Sequence, residues 1–151
     1  VSAAMALAAS EGLSPVEIGE DGLPGALQRL ATETSGVYGI NCLFHQADES
    51  HQAVLNPKNA PQIYAIAMEA VNNAIRHGDA KEIIIELRSD DGTGRLVVED
   101  DGCGFNPAKT VADGMGLRIM RYRAGLMGGA LAVSRRSPRG ISVQCSFPPN
   151  N

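Results

Sequence analysis

The stretch Val97–Gly129, VVEDDGCGFNPAKTVADGMGLRIMRYRAGLMGG, decides how this chain folds. It opens on an apolar run of strand character and ends that run on two adjacent carboxylates, Asp100 and Asp101. Seven glycines follow within 28 residues of Asp101, where a turn needs one or two. From about Leu117 the pattern becomes helical, and Gly128–Gly129 closes it. A strand that ends on carboxylates and leads through glycines into a helix belongs to a layered α/β protein. In such sheets ligands bind beyond the strand ends. On its own, DDGCG reads equally as a tight hairpin turn. The spacing matches neither the GxGxxG of a dinucleotide fold nor the GxxxxGK[ST] of a P-loop.

Working outward, KEIIIELRSDDGTGRLVVED (Lys81–Asp100) predicts a β-hairpin with its loop at Asp91–Gly94. Before it lies a long helix, about Lys58 to His77, opened by Asn56–Pro57 and ended by Gly78. VYGINCLFHQ (Val37–Gln46) alternates Tyr38, Ile40, Cys42 and Phe44 against smaller or polar residues, as a half-buried strand does. LPGALQRLATET (Leu23–Thr34) puts Leu23, Leu27, Leu30 and Ala31 on one helical face, with Pro24 in the first turn. Val1 to Ala9 reads as helix, broken by Gly12 and Pro15. Downstream, ALAVSRRSPRGISVQCSF (Ala130–Phe147) predicts two strands around a turn at Pro138–Gly140. The expected fold is a two-layer α/β sandwich, a mixed sheet of about five strands with about three helices on one face.

Composition narrows the function classes. A chain of 151 residues can bury a real core, and with 4% aromatics and no Trp that core must be aliphatic. A net charge of −4 with no basic stripe argues against a nucleic-acid partner. Cys42, Cys103 and Cys145 are scattered, form no CxxC or zinc spacing, and read as structural thiols of a reducing compartment. No apolar run reaches the roughly 20 residues of a membrane span.

The long helix carries the second set of candidate residues. Ile63, Ile66, Ala67, Ala70 and Ala74 form its apolar stripe, and Glu69, Asn72, Asn73 and Arg76 gather on one flank. Glu69 and Asn73 are i and i+4, so a carboxylate and an amide oxygen are neighbours, two hard ligands suited to magnesium. Arg76 adds a phosphate-seeking cation. Read alone, this flank is also what a solvated helix face looks like. At the other end of the quoted stretch, the GMG of Gly114–Gly116 precedes a helix whose N-terminal amides can bind phosphate.

Together and in this order, the segments resemble the ATP-binding catalytic domain of sensor histidine kinases, in the GHKL superfamily of gyrase, heat-shock chaperone, histidine kinase and mismatch-repair ATPases. EAVNNAIRH (Glu69–His77) is similar to the N box, E-x-x-x-N-A-x-[KR]-H. DDGCGF (Asp100–Phe105) is similar to the G1 box, D-x-G-x-G-F, and GMGL (Gly114–Leu117) to the G2 box, G-x-G-L. MRYRAGLMGG (Met120–Gly129) and the upstream GLSPV and DGLPGALQRLA segments resemble the nitrate-sensor branch. The resemblance spans Gly12 to Pro148.

The resemblance implies ATP and Mg2+ as cofactors and assigns roles. Glu69 is the general base or water-orienting carboxylate, Asn73 holds the metal, and Arg76 and His77 face the phosphates. Asp100 reads the adenine amine, and Gly102 and Gly104 shape the pocket. Phe105–Asp113 forms a mobile lid hinged by Gly114 and Gly116, with Leu117 completing the box. It also implies that residues 1–14 are the tail of an upstream dimerisation and phosphoacceptor helix and residues 15–151 the catalytic domain. The acceptor histidine lies on that helical domain. The implied partners are this domain of the same kinase and a response-regulator receiver domain, with no nucleic acid. The chain itself is monomeric, the full kinase is a homodimer, and the location is cytoplasmic. Alternatives within the superfamily are an anti-sigma-factor serine kinase and a non-catalytic nucleotide-binding module.

Two positions depart from the pattern: Ile141 stands where the family's G-T-x-V places Thr, and Gly78 replaces a usual Ala. The first removes a polar contact near the adenine, and the second ends the helix early. His45, at a strand end, and His51, in a loop, read as surface histidines, and Arg121 and Arg123 as structural cations.

Overall fold

The computed structural model describes residues 18–46, 57–90, 92–103 and 111–148. The helix read at Val1–Ala9 lies outside the described residues. The other expected elements appear in the expected order. They are α1 (Gly22–Tyr38), β1 (Asn41–Gln46), a 3-10 turn at Pro57–Asn59, α2 (Ala60–Arg76), β2 (Glu82–Asp90), β3 (Thr93–Asp100), α3 (Val111–Leu126), β4 (Ala130–Arg135) and β5 (Ile141–Phe147). The five strands form one sheet in the order β1-β2-β3-β5-β4. β1 runs parallel to β2 and the other pairs are antiparallel, so the sheet is mixed.

Each inward face follows from local periodicity. Leu23, Leu27, Leu30 and Ala31 of α1 and Ile63, Ile66, Ala67, Ala70 and Ala74 of α2 are all buried. They meet the alternate residues of the sheet: Ile83, Ile85 and Leu87 of β2, Leu96 and Val98 of β3, and Val143, Cys145 and Phe147 of β5. Burying each large aliphatic side chain contributes roughly 1.5–3 kcal/mol. Among the described residues the core is a largely aliphatic cluster between the helix layer and the sheet, with Phe147 its buried aromatic.

Three boundaries differ from the sequence reading. α1 runs four residues past Thr34, so Tyr38 is helical rather than the first strand residue. It stops at Gly39, whose left-handed φ of 66° suits glycine and whose N–H bonds to the carbonyl of Ser35. The Ser35 hydroxyl then brackets Cys42, accepting its N–H and donating to its carbonyl at 3.0 Å each, which fixes where β1 begins. The β2–β3 turn is tighter than expected, since Asp90 pairs with Thr93. Gly94 is a strand residue, and a Cβ there would strike the Phe147 ring. The third difference is α3, which begins at Val111 rather than near Leu117.

Burial pushes the thiols of Cys42 and Cys145 up to about 11, whereas Cys103 is exposed. A thiol reagent at neutral pH is therefore expected to label one cysteine of the native protein, Cys103, and three after unfolding. Mass spectrometry of the labelled protein checks this, and native labelling at Cys42 or Cys145 would contradict it.

Candidate nucleotide-binding site

Three segments far apart in sequence meet along one side of α2. Glu69, Asn73 and Arg76 sit on successive turns of that helix. Arg76 Nη2 donates to Asn73 Oδ1 at 3.2 Å and lies 3.5 Å from Glu69 Oε2. The three side chains thus converge, with Asn73 buried at 5% exposure, Glu69 26% exposed and Arg76 largely in solvent. A freely solvated helix face would not bury Asn73. Arg76 holds both oxygens by contacts that a competing cation could replace.

α3 packs directly on this cluster through Gly116. A Cβ at Gly116 would lie 2.7 Å from Glu69 Oε2 and 3.8 Å from Asn73 Nδ2. Gly114 and Gly116 are inside the helix, not before it, which corrects the reading of GMG as a hinge ahead of the helix N-terminus. A helical glycine costs about 1 kcal/mol relative to Ala. At Gly116 any side chain would displace the Glu69 carboxylate from its present position. Leu117 is buried and turns into the same cleft.

Asp100 ends β3 opposite Asn73. Strand alternation sends Asp100 inward and Asp101 outward, which explains the adjacent carboxylates at the head of the quoted stretch. Asp100 is 6% exposed. Burial raises its pKa, while N–H bonds from Gly102 and Ile141 and the charge of Arg136 oppose that rise. Its Oδ1 accepts the Gly102 N–H at 2.8 Å. Asp101 works on the outer side of the strand end. Its Oδ1 accepts the N–H groups of Lys81 and Glu82, both at 2.9 Å, and these bonds lower its pKa. It pins the start of β2 to the end of β3.

Gly102 is where the G1 segment crosses the end of α2. A Cβ there would lie 2.5 Å from the Gly78 carbonyl oxygen and within 2.9 Å of two further backbone atoms. Next to it, the Cys103 N–H bonds to that same carbonyl at 2.7 Å. Gly78 is therefore a contact point as well as the end of a helix. The left-handed position that turns the chain is Asp79, with φ 49°. His77 caps α2 and its carbonyl accepts the Cys103 thiol at 3.6 Å, so its main chain faces the G1 segment. Gly102→Ala is expected to cost about 1–3 kcal/mol by overpacking, read as a melting midpoint lower by several degrees. An unchanged midpoint would contradict the close crossing.

The space between these groups is a small cleft that opens to solvent. Ala70, Asn73 and Ala74 of α2 and Leu117 and Met120 of α3 form one wall, and Val98, Asp100, Val133, Ile141 and Val143 of the sheet form the other. It is apolar apart from Asn73 and Asp100. That suits a flat heterocycle with one exocyclic donor. Ile141 makes apolar wall where the family pattern has Thr, and its N–H serves the Asp100 carboxylate.

Gly104 and residues 105–110 of the expected lid lie outside the described residues, as do His51 and residues 1–14. Arg123 ties α3 to α2 by donating to Gln62 at 2.9 Å. Sequence reasoning missed Arg136 and Arg139, which reach the G1 segment from the β4–β5 turn. Arg136 Nη1 bonds the Asp100 carbonyl at 2.6 Å and Arg139 Nε the Gly102 carbonyl at 3.2 Å. The only local signal is the arginine-rich RRSPRG, Arg135 to Gly140.

Residues 58–151 match the family described as histidine kinase-, DNA gyrase B-, and HSP90-like ATPase. The chain belongs to this ATPase family. Proteins similar to it include the nitrate/nitrite sensor protein NarX of Escherichia coli K12. That relative is 32% identical over 139 residues, 89% of this chain and 22% of its own length. The sensor histidine kinase MctS of Rhizobium johnstonii is 30% identical over 142 residues, 92% of this chain and 30% of its own. The chain thus spans less than a third of the length of these curated relatives. Among solved structures, the histidine kinase domain of the Erythrobacter litoralis EL346 blue-light activated histidine kinase matches at TM-score 0.62. The identity is 27%, with 83% of this chain and 64% of that one covered. The ATP binding domain of PrrB from Mycobacterium tuberculosis matches at TM-score 0.64 and 17% identity. It covers 85% of this chain and 95% of that one, and shares the fold. The two-layer α/β sandwich is therefore the ATP-binding fold of this family, and ATP is its nucleotide.

Proposed function

We propose that this chain is the catalytic domain of a sensor histidine kinase, passing the γ-phosphoryl group of ATP to a histidine on a separate helical dimerisation domain. The observation that carries this reading is the convergence of Glu69 and Arg76 on Asn73, which lines the same cleft as Asp100. In this reading Asp100 is the acceptor for an amine, and the Glu69–Asn73–Arg76 cluster serves the phosphates.

Asp100 accepts the adenine 6-amino group, with Gly102 letting the backbone come close. Asn73 Oδ1 is a neutral hard oxygen beside the Glu69 carboxylate, and it holds Mg2+. Among the described residues no three His, Cys, Asp or Glu side chains converge on one point. A metal here would take its remaining ligands from phosphate and water, as magnesium does. When bound, Mg2+ neutralises charge on the β- and γ-phosphates. Arg76, released from Asn73, and His77 then turn to the phosphates. Gly116 keeps α3 close to the same cluster, and Glu69 orients the incoming nucleophile or takes its proton. Residues 15–151 form this domain, and residues 1–14 continue toward the helical domain that carries the acceptor. Among the described residues no helix is long and apolar enough to cross a membrane. The domain works in the cytoplasm, its phosphoryl group passing on to a receiver domain, and the kinase acts as a homodimer.

The function is tested by incubating the chain with labelled ATP and magnesium, alone and with a supplied helical acceptor domain. Transfer needs a nucleophile held in line with the γ-phosphate. His77 caps the nucleotide helix and His45 lies on the edge strand β1. No label on the chain alone and acid-labile, base-stable label on the acceptor are expected. Acid-stable label on serine would point to the serine-kinase alternative, and label on His45 or His51 would overturn the assignment of roles. For the base-reading role, Asp100→Asn is expected to weaken ATP binding by about 1.5–3 kcal/mol with the fold intact. Calorimetry showing unchanged affinity would remove Asp100 from the site.

A further inference from the structure

The Asp100 main chain is held from outside its own strand pair. The β3–β5 ladder ends at Glu99 and Ser142. In the next register position the Ile141 N–H goes to the Asp100 carboxylate. Arg136 supplies a donor to the Asp100 carbonyl, through Nη1 at 2.6 Å. Arg136 is itself anchored, because its own N–H bonds to the Gly140 carbonyl at 2.9 Å and closes the β4–β5 turn. Gly140, with φ 106°, packs so tightly on the Asp100 carbonyl that a Cβ would overlap it. Arg139 Nε takes the Gly102 carbonyl at 3.2 Å. On the other side Asp101 is tied to Lys81 and Glu82. The backbone from Asp100 to Gly102 is thus clamped between two elements.

We propose that Arg136 is a positioning residue for Asp100: by gripping its carbonyl, it holds the carboxylate of the same residue at one orientation in the cleft and sets the preference for a purine with an amine at its 6-position. This rests on the reading of Asp100 as the base-reading group. A carboxylate only accepts hydrogen bonds. It favours the 6-amino group of adenine and opposes the 6-carbonyl of guanine, but only if it cannot turn away. Among the facing side chains Asp100 is the charged acceptor. α2 contributes neutral Asn73, α3 contributes Leu117 and Met120, and the neighbouring charge in the chain is another carboxylate, Asp101.

The experiment is calorimetry of ATP and GTP binding to the full chain as the parent protein, R136M, R136K, D100N and R136M/D100N, with melting curves for each. R136M is expected to bind ATP about tenfold more weakly, with a smaller ratio of ATP to GTP affinity. R136K is expected to keep part of both, and R136M is expected to add no further loss in the D100N background. Equal weakening toward both nucleotides, the same loss with and without Asp100, or no loss would each overturn the proposal. If R136M does not fold, R136K decides by the same ratio, which a merely structural role would leave unmoved. D100N binding ATP like the parent would instead remove the base-reading role, a failure visible without any Arg136 variant.

Discussion

Glu69→Gln is expected to slow phosphoryl transfer to a supplied acceptor domain by about 10²–10⁴-fold, the range for a general base, with little change in ATP affinity. Glu69 is partly shielded, with Arg76 beside it at 3.5 Å and Gly116 of α3 packed on its carboxylate. Glutamine keeps the size and one acceptor oxygen, so α3 stays seated and the nucleotide still binds. It loses the charge that would orient the nucleophile or take its proton. Phosphoryl transfer depends largely on positioning and charge neutralisation, so the lower part of the range is expected if Glu69 only orients. Single-turnover transfer measured beside ATP calorimetry separates chemistry from binding. A variant that transfers at the parent rate would rule out both roles, and one that loses affinity and rate together would make Glu69 a binding residue.

Asn73→Ala has the second large expected effect. Losing the oxygen proposed to hold the metal would remove several kcal/mol of charge stabilisation at the phosphates, about 10³-fold in rate. ATP affinity should no longer rise on adding magnesium. Asn73 is buried, and its Oδ1 accepts a bond from Arg76. Alanine therefore leaves a small gap and a released Arg76 that still pairs with Glu69, so the fold survives. ATP titrations with magnesium and with a chelator check this. A mutant gaining as much affinity from magnesium as the parent would show that the metal is held elsewhere.

Much of this protein was legible in local patterns. The stripes Leu23-Leu27-Leu30 and Ile63-Ile66-Ala67 read as helix faces because a helix repeats every 3.6 residues, and both are buried. The Glu69–Asn73 neighbourhood is one turn of one helix, so spacing alone placed it. The alternation that turns Asp100 in and Asp101 out is also local, although which side was inward was not.

What tertiary structure decided involves partners far apart in the chain. GMG looks like a loop by glycine content, and only the structure shows it inside a helix, with Gly116 packed on the Glu69 carboxylate 47 residues earlier in the numbering. α1 continues past Thr34 because Ser35 finds Cys42 and Gly39 supplies the stop, neither of which helix periodicity reports. Arg136 and Arg139 read as an exposed turn until the hairpin folds back onto carbonyls 36 and 37 residues away. Sequence alone determined the elements, their order and the helix-borne half of the site, because those depend on residues within a turn of one another. Tertiary structure alone decided how the Asp100 end is held, because a backbone carbonyl carries no sequence signal and its partner is set by where the strands stop pairing.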